Sequence, residues 1–449
     1  MEYNTTPIYY ENEKVDYFIP KGANYTYIKA PKVKDLKNVA ERFKQAIRSP
    51  LDSPSLEELV KQQYQPERII VIVVDDHSRP NIHTRMFLPL LRNQLVAYGV
   101  NEEDLRVFIA TGTHLPPKPE HIQERILGSL YDEWKERIWI NDCDSQKLHQ
   151  DLGFSPHKTP IKLDKRVLSA CLRISLSDSE YHYFAGIAGS VKQFIPGCAA
   201  RQTVQVNHSR IFDKDTGFKP DCRMGNIKDN VCIQDIREII KMIKTKYPIF
   251  VIDTIMHMGK MVDIFAGDPI AIHDNALKQL QPIREVSIIE KADLVIVGKP
   301  SVNFYQAGKG YDSARHAVKP GGTILLLAGC QDGIGSEAFL DSTKQAKNRP
   351  YLEAMRWAID EKCTETTFEI GVQNTVELFK LLQLTEGKLY LYSELDPNFM
   401  SETFHLKPLE RKNNVQETLQ LFVAEFLTQK PEGFIYVFED FNILTLVSS

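Results

Sequence analysis

Arg68-Ile69-Ile70-Val71-Ile72-Val73-Val74 runs directly into Asp75-Asp76-His77-Ser78-Arg79-Pro80. The first part is apolar after Arg68 and does not alternate, which predicts a strand covered on both faces. The polar run that follows is then a loop at the strand's carboxyl end, the place where open α/β sheets bind ligands.

The same form recurs along the chain. Leu105–Ala110 runs into Thr111-Gly112-Thr113-His114, Arg137–Ile140 into Asn141-Asp142, and Cys171–Leu176 into Ser177-Asp178. Ile249–Ile252, Ala292–Val297 and Thr323–Ala328 are further strands of this kind. Between them, helical periodicity predicts helices over Asp35–Arg48, Ile82–Tyr98, Lys118–Trp134, Cys232–Lys244, Asp268–Leu280, Tyr351–Glu361 and Asn413–Thr428. Alternating strands and helices predict an α/β fold of two α/β domains with largely parallel or mixed sheets. The loops with unusual chemistry cluster before residue 215, which divides the chain into 1–265 and 266–449, with the active site expected in the interdomain cleft.

Composition narrows the function. The 449 residues are 43% hydrophobic and 25% charged with a formal net charge of -4, a globular balance with no basic stripe for nucleic acid. The N-terminus lacks a signal-peptide pattern and every apolar run is too short to span a bilayer, so no membrane partner and a cytoplasmic location are expected. The seven cysteines are scattered without a CxxC pair, which argues against a disulfide framework and a thiolate zinc site.

Four polar constellations remain. In Asp76-His77-Ser78-Arg79 a carboxylate, a hydroxyl and a guanidinium suit a polar or anionic ligand, since arginine presents a planar fork. His114 lies just past a glycine turn, and an imidazole there can exchange a proton near neutral pH. In Tyr181-His182-Tyr183-Phe184-Ala185-Gly186-Ile187-Ala188-Gly189-Ser190-Val191-Lys192-Gln193-Phe194-Ile195-Pro196-Gly197, small residues precede a lysine able to supply charge or a nucleophilic amine. Gln193 after Lys192 excludes a Walker A loop, and the glycine spacing is not a dinucleotide fingerprint. His208 follows sixteen residues after Lys192. Finally, Gln306 and Lys309, three apart in Asn303–Gly310, are placed to meet one ligand. Each of these alone is also compatible with an ordinary polar loop, the Asn303–Gly310 stretch most of all. HExxH-type zinc spacing is absent, while a metal held by one histidine plus a cofactor's own donors stays open.

Taken in order and spacing, the set resembles the nickel-dependent lactate racemase family. The resemblance rests on Asp-x-x-Arg-Pro at Asp76–Pro80, Ala-Thr-Gly-x-His at Ala110–His114, and His182 with Lys192 and Pro196-Gly197. It extends to His208 and to Tyr-Gln-x-x-Lys at Tyr305, Gln306 and Lys309. The resemblance implies an isomerase, a racemase or epimerase that inverts C2 of a small 2-hydroxy acid. Its cofactor would be nickel in the nickel pincer nucleotide, a pyridinium-3,5-bisthiocarboxylate mononucleotide bound covalently through Lys192 and supplied by cofactor-biosynthesis proteins. By the same resemblance His208 would ligate nickel, and His114 and His182 would be the acid–base pair. Asp76, His77, Ser78, Arg79, Gln306 and Lys309 would bind the nucleotide, with Arg79 or Lys309 anchoring the substrate carboxylate. The chain departs from the family pattern at Ser190, where a glycine is usual, and at Val191 and Leu115, where basic residues are common. An aromatic residue expected near Gly371 has Phe368 as its candidate. Two further readings stay open: a non-catalytic binding homologue, and a nicotinamide-dependent 2-hydroxyacid dehydrogenase.

Overall fold

The computed structural model describes residues 3–10, 13–79, 81–301 and 303–448. The chain forms two compact units, one of Val33–Ile211 and Pro220–Gln281, the other of Met1–Lys32, Phe212–Lys219 and Pro282–Ser449.

The first unit is built on a six-stranded sheet in the order Lys260–Gly267, Ile249–His257, Leu172–Asp178, Ile70–Asp75, Leu105–Ala110, Ile138–Ile140. All neighbours are parallel except Lys260–Gly267, which returns antiparallel from Ile249–His257. Ile70 to Val74 are fully buried, as expected of a strand covered on both faces. One face packs with Phe43, Phe87, Leu91 and Trp134 in a single apolar cluster. The loops bearing Asp76 and His114, and the segment bearing His182, all leave the carboxyl ends of these strands.

The second unit has an all-parallel sheet in the order Leu389–Tyr392, Val318–Leu327, Ala292–Gly298, Ile435–Phe438, Tyr25–Ile28. Helices Phe304–Arg315 and Val372–Thr385 belong to this unit.

The division expected at 265/266 is corrected in two ways. Residues up to Gln281 stay with the first unit, because Lys260–Gly267 extends its sheet. Met1–Lys32 belong to the second unit, because Tyr25–Ile28 pairs with Ile435–Phe438 across the length of the chain. Phe212–Lys219 join them: Arg356 donates to the Lys214 carbonyl at 3.1 Å and to Asp215 at 2.7 Å. The helix expected over Lys118–Trp134 is broken into short turns at Gly128, whose φ is +59°. A hairpin of Tyr3–Tyr10 with Glu13–Pro20 went unpredicted because its alternation is weak.

Gly298 ends its strand against this hairpin, and a Cβ there would lie 1.8 Å from the Tyr9 carbonyl oxygen. Gly298→Ala is therefore expected to cost about 1–3 kcal/mol through overpacking. Denaturant unfolding measures that loss, and limited proteolysis should show earlier cleavage within residues 13–28.

Candidate active site

The turn after Asp75 is held by its own side chains. Asn81, fully buried at φ +52°, donates through Nδ2 to the carbonyls of Asp76 at 2.6 Å and Arg79 at 3.0 Å. Asparagine tolerates the left-handed region because its short amide bonds locally. Ser78 N–H donates to Asp76 Oδ1 at 2.7 Å, while Asp76 Oδ2 lies 2.6 Å from His114 Nδ1. Burial pushes the Asp76 carboxyl up, but His114, Arg79 and the Ser78 bond together outweigh it and hold the group well below the usual carboxylate range. Asp76 is thus an ionised carboxylate facing the His114 ring, which puts a proton on Nδ1 and leaves Nε2 as the exchanging nitrogen. His77 stacks on His121 at 4.8 Å, and its Nδ1 is buried without a hydrogen-bond partner among the described residues. Burial also lowers the His77 pKa. Pro80 lies outside the described residues.

The His114 loop is pinned from beneath. Gly112 N–H donates to the Gly197 carbonyl at 3.0 Å, and Asn141 Nδ2 donates to the carbonyls of Gly112 and Ala199, both at 3.1 Å. Gly197 has no room for a side chain, since a Cβ would meet the Gln193 carbonyl at 2.1 Å. The His114 and Lys192 segments therefore lock to one another.

His182, Lys192 and His208 gather around one buried ring, Phe184. The His182 ring centroid lies 4.4 Å from that of Phe184, the His208 centroid 5.3 Å, and Lys192 Nζ sits 5.2 Å over it. Asn230 Nδ2 fixes the Phe184 carbonyl at 2.7 Å. The Ala185 N–H donates to His182 Nδ1 at 3.3 Å, which leaves Nε2 to carry the exchangeable proton. Lys192 lies on the short turn Ser190–Gln193, which Gln193 anchors by donating to the Leu176 carbonyl at 2.7 Å. Burial, reinforced by Arg79 and opposed by Cys232 and Glu180, pushes the Lys192 ammonium down to about 8. Burial, then the charges of Lys192 and His114, holds His208 well below the ordinary histidine range, so it is neutral.

Ser190, the residue found where glycine is usual, does sit in the left-handed region at φ +36°. Its Oγ accepts from the Val191 N–H at 2.6 Å and its own N–H donates to Ser177 Oγ at 3.1 Å, which offsets part of that strain. Val191 is fully buried and Leu115 is 81% exposed.

Sequence reasoning missed a set of buried and half-buried acids at the strand ends. Asp253 accepts from Ser177 Oγ at 2.8 Å and Ser179 Oγ at 2.5 Å, and burial raises its pKa to about 6. Asp178, raised by burial to about 8, and Asp75, 3.4 Å from His83 Nε2, complete the set. The only signal was an aspartate at or near the end of three apolar runs.

Gln306 and Lys309 lie in the other unit on helix Phe304–Arg315, capped by Asn303 Oδ1 accepting from the Gln306 N–H at 3.0 Å. Asn374 Nδ2 holds the Tyr305 carbonyl at 3.0 Å. Phe368 is 1% exposed and packs on Phe212, which makes it part of the core of that unit. Among the described residues no three histidine, cysteine or acidic side chains are grouped to hold a metal, and no helix is long and apolar enough to cross a membrane.

Residues 10–218 match the model of the lactate racemase N-terminal domain, and residues 289–417 that of the lactate racemase C-terminal domain. The chain is 27% identical over 366 residues to lactate racemase of Lactiplantibacillus plantarum, covering 80% of this chain and 81% of that one. It is 28% identical over 311 residues to lactate racemase of Thermoanaerobacterium thermosaccharolyticum, covering 68% and 69%. Among solved structures, the lactate racemase apoprotein of Thermoanaerobacterium thermosaccharolyticum superposes with a TM-score of 0.80 at 21% identity, over 99% of this chain and 100% of that one. A Thermotoga maritima protein superposes at 0.64 and 14% identity, over 91% and 98%.

A lysine with a lowered pKa is a reactive neutral amine at lower pH than its surface counterparts. Mass-mapped labelling with an acylating reagent should show Lys192 reacting with a midpoint near pH 8, charged and inert below it and neutral above. The free lysine value of about 10.4 is the reference against which that midpoint is read.

Proposed function

Because the chain belongs to the lactate racemase family, we propose that it inverts C2 of a small 2-hydroxy acid, lactate-like or larger, using a nickel pincer nucleotide carried by Lys192. The observation that carries this reading is the grouping around Phe184. It brings an amine pushed down to about 8, a neutral buried imidazole and a second histidine to one aromatic wall.

The residues fit such a cofactor. Lys192 holds a substantial neutral fraction near pH 8, as covalent attachment of an amine requires. His208 is neutral, the form that ligates a metal, and imidazole beside the cofactor's sulfur donors suits Ni(II). When bound, the cofactor supplies a pyridinium ring that takes up the substrate's C2 hydride and gives it back.

The protein's own residues do the rest. His114 exchanges the substrate hydroxyl proton at Nε2, with Asp76 holding its Nδ1 proton and stabilising the charged ring. His182 presents Nε2 to the hydroxyl of the opposite enantiomer. Arg79, Ser78 and His77 are assigned to the nucleotide's anionic part, and the family pattern assigns Gln306 and Lys309 to the nucleotide as well. Asp76, first read with this nucleotide-binding group, acts mainly by orienting His114 and its own turn. Arg79 or Lys309 pairs with the substrate carboxylate and holds C2 in position.

Co-expression with the cofactor-biosynthesis proteins, followed by intact mass, nickel content and a racemisation panel of 2-hydroxy acids, tests the reading. A covalent adduct is expected in the parent and absent in Lys192→Ala. His114→Ala and His182→Ala should keep the adduct and lose about 10²–10⁴-fold in kcat. A parent protein with no adduct despite cofactor supply, or one that carries it and racemises nothing, would overturn the proposal.

A further inference from the structure

His208 sits within a relay of buried polar groups. It lies on helix Arg201–Ser209, 3% exposed, with Nδ1 3.0 Å from Asn207 Oδ1. The orientation of the Asn207 amide follows from its other partners. Its Nδ2 faces two acceptors, the Cys232 carbonyl at 3.0 Å and Asp235 Oδ2 at 2.9 Å. A flipped amide would set its oxygen against both of them, leaving buried acceptors unpaired. Oδ1 is therefore the atom that meets His208, and the Cys232 Sγ donates to it as well at 3.1 Å.

Asp235 is fully buried and held in turn. It accepts from Ser155 Oγ at 2.5 Å and Thr159 Oγ1 at 2.6 Å besides Asn207. Two hydroxyls, a carboxylate and an amide thus end on one ring nitrogen, and every link has a single workable direction. An acceptor facing Nδ1 requires the proton on Nδ1, and a neutral imidazole then keeps its lone pair on Nε2.

We infer that Asn207, held by Asp235, is a positioning residue that keeps His208 in the Nδ1–H form and presents Nε2 as a metal ligand. The metal part rests on the function proposed above; the tautomer does not. Outer partners of this kind fix ring orientation and tautomer in metal sites generally, and their loss weakens metal binding about 10–100-fold.

The test uses the full chain, ¹⁵N-labelled and metal-free, with long-range ¹H–¹⁵N correlation of the histidine rings, and separately nickel retention after cofactor loading. The parent should show His208 protonated at Nδ1 and bare at Nε2. Asn207→Ala, which removes the acceptor, should move the proton to Nε2 and weaken nickel retention about 10–100-fold. Asp235→Asn keeps the side-chain volume but replaces an obligatory acceptor by a group that also donates, so it should give a mixture of the two forms. If Asn207→Ala does not fold, Asp235→Asn decides: a mixture supports the inference. His208 remaining Nδ1–H in every folded variant, or bare at Nδ1 in the parent, overturns it. A tautomer shift as described in a parent that takes up neither adduct nor nickel upholds the positioning role and removes the racemase reading instead.

Discussion

A parallel sheet covered on both faces brings its connecting loops down onto the core, where backbone groups lose their contact with water. Each unpaired group there costs about 1–3 kcal/mol. In the first unit this demand is met by buried side-chain amides: Asn81 under the Asp76 turn, Asn141 between the Gly112 and Ala199 segments, and Gln193 under the Lys192 turn. Asn230 does the same for Phe184 and Asn207 for the Cys232 carbonyl. An amide both donates and accepts, so one side chain can tie two segments. The loops that carry His114, His182 and Lys192 are shaped by these ties before any ligand arrives.

Rigidity of this origin has chemical consequences. Asp76 is ionised because its partners are fixed opposite it, and Lys192 is lowered because burial outweighs the opposing influence of Cys232 and Glu180. The neighbouring Asp253 and Asp178 move the other way, upward, because burial outweighs the lowering influence of His83. Groups of the same type are pushed apart in pKa within one region, which is the usual signature of a site arranged for proton movement.

The sheets and most helices were legible in the sequence, because unbroken runs such as Ile70–Val74 have few other structures open to them. Boundaries set by long-range pairing were not. Nothing local in Tyr25–Ile28 says that its partner is Ile435–Phe438, and the alternation of Lys260–Gly267 does not reveal which sheet it extends. The chemically active residues were legible as types at spacings, since histidine, lysine and arginine at strand ends stand out. Their supports were not, because Asn81, Asn141, Asn207 and Asn230 look like any loop or capping asparagine until their partners are known. The Phe184 ring, which collects His182, Lys192 and His208, reads in sequence as one more apolar residue.

The pairing of Tyr25–Ile28 with Ile435–Phe438 also bears on how the chain is made. Synthesis proceeds from the N-terminus, and domains generally fold as their residues emerge. The first unit runs from Val33 to Gln281, interrupted only by Phe212–Lys219, and can close once residue 281 has left the ribosome. Tyr25–Ile28 must wait for its neighbour until Ile435–Phe438 has been made, about 400 residues later. Throughout that interval it is an unpaired β edge, the kind of segment that recruits other chains. Protection of Tyr25–Ile28 during synthesis is therefore a burden set by topology, independent of how stable the finished protein is.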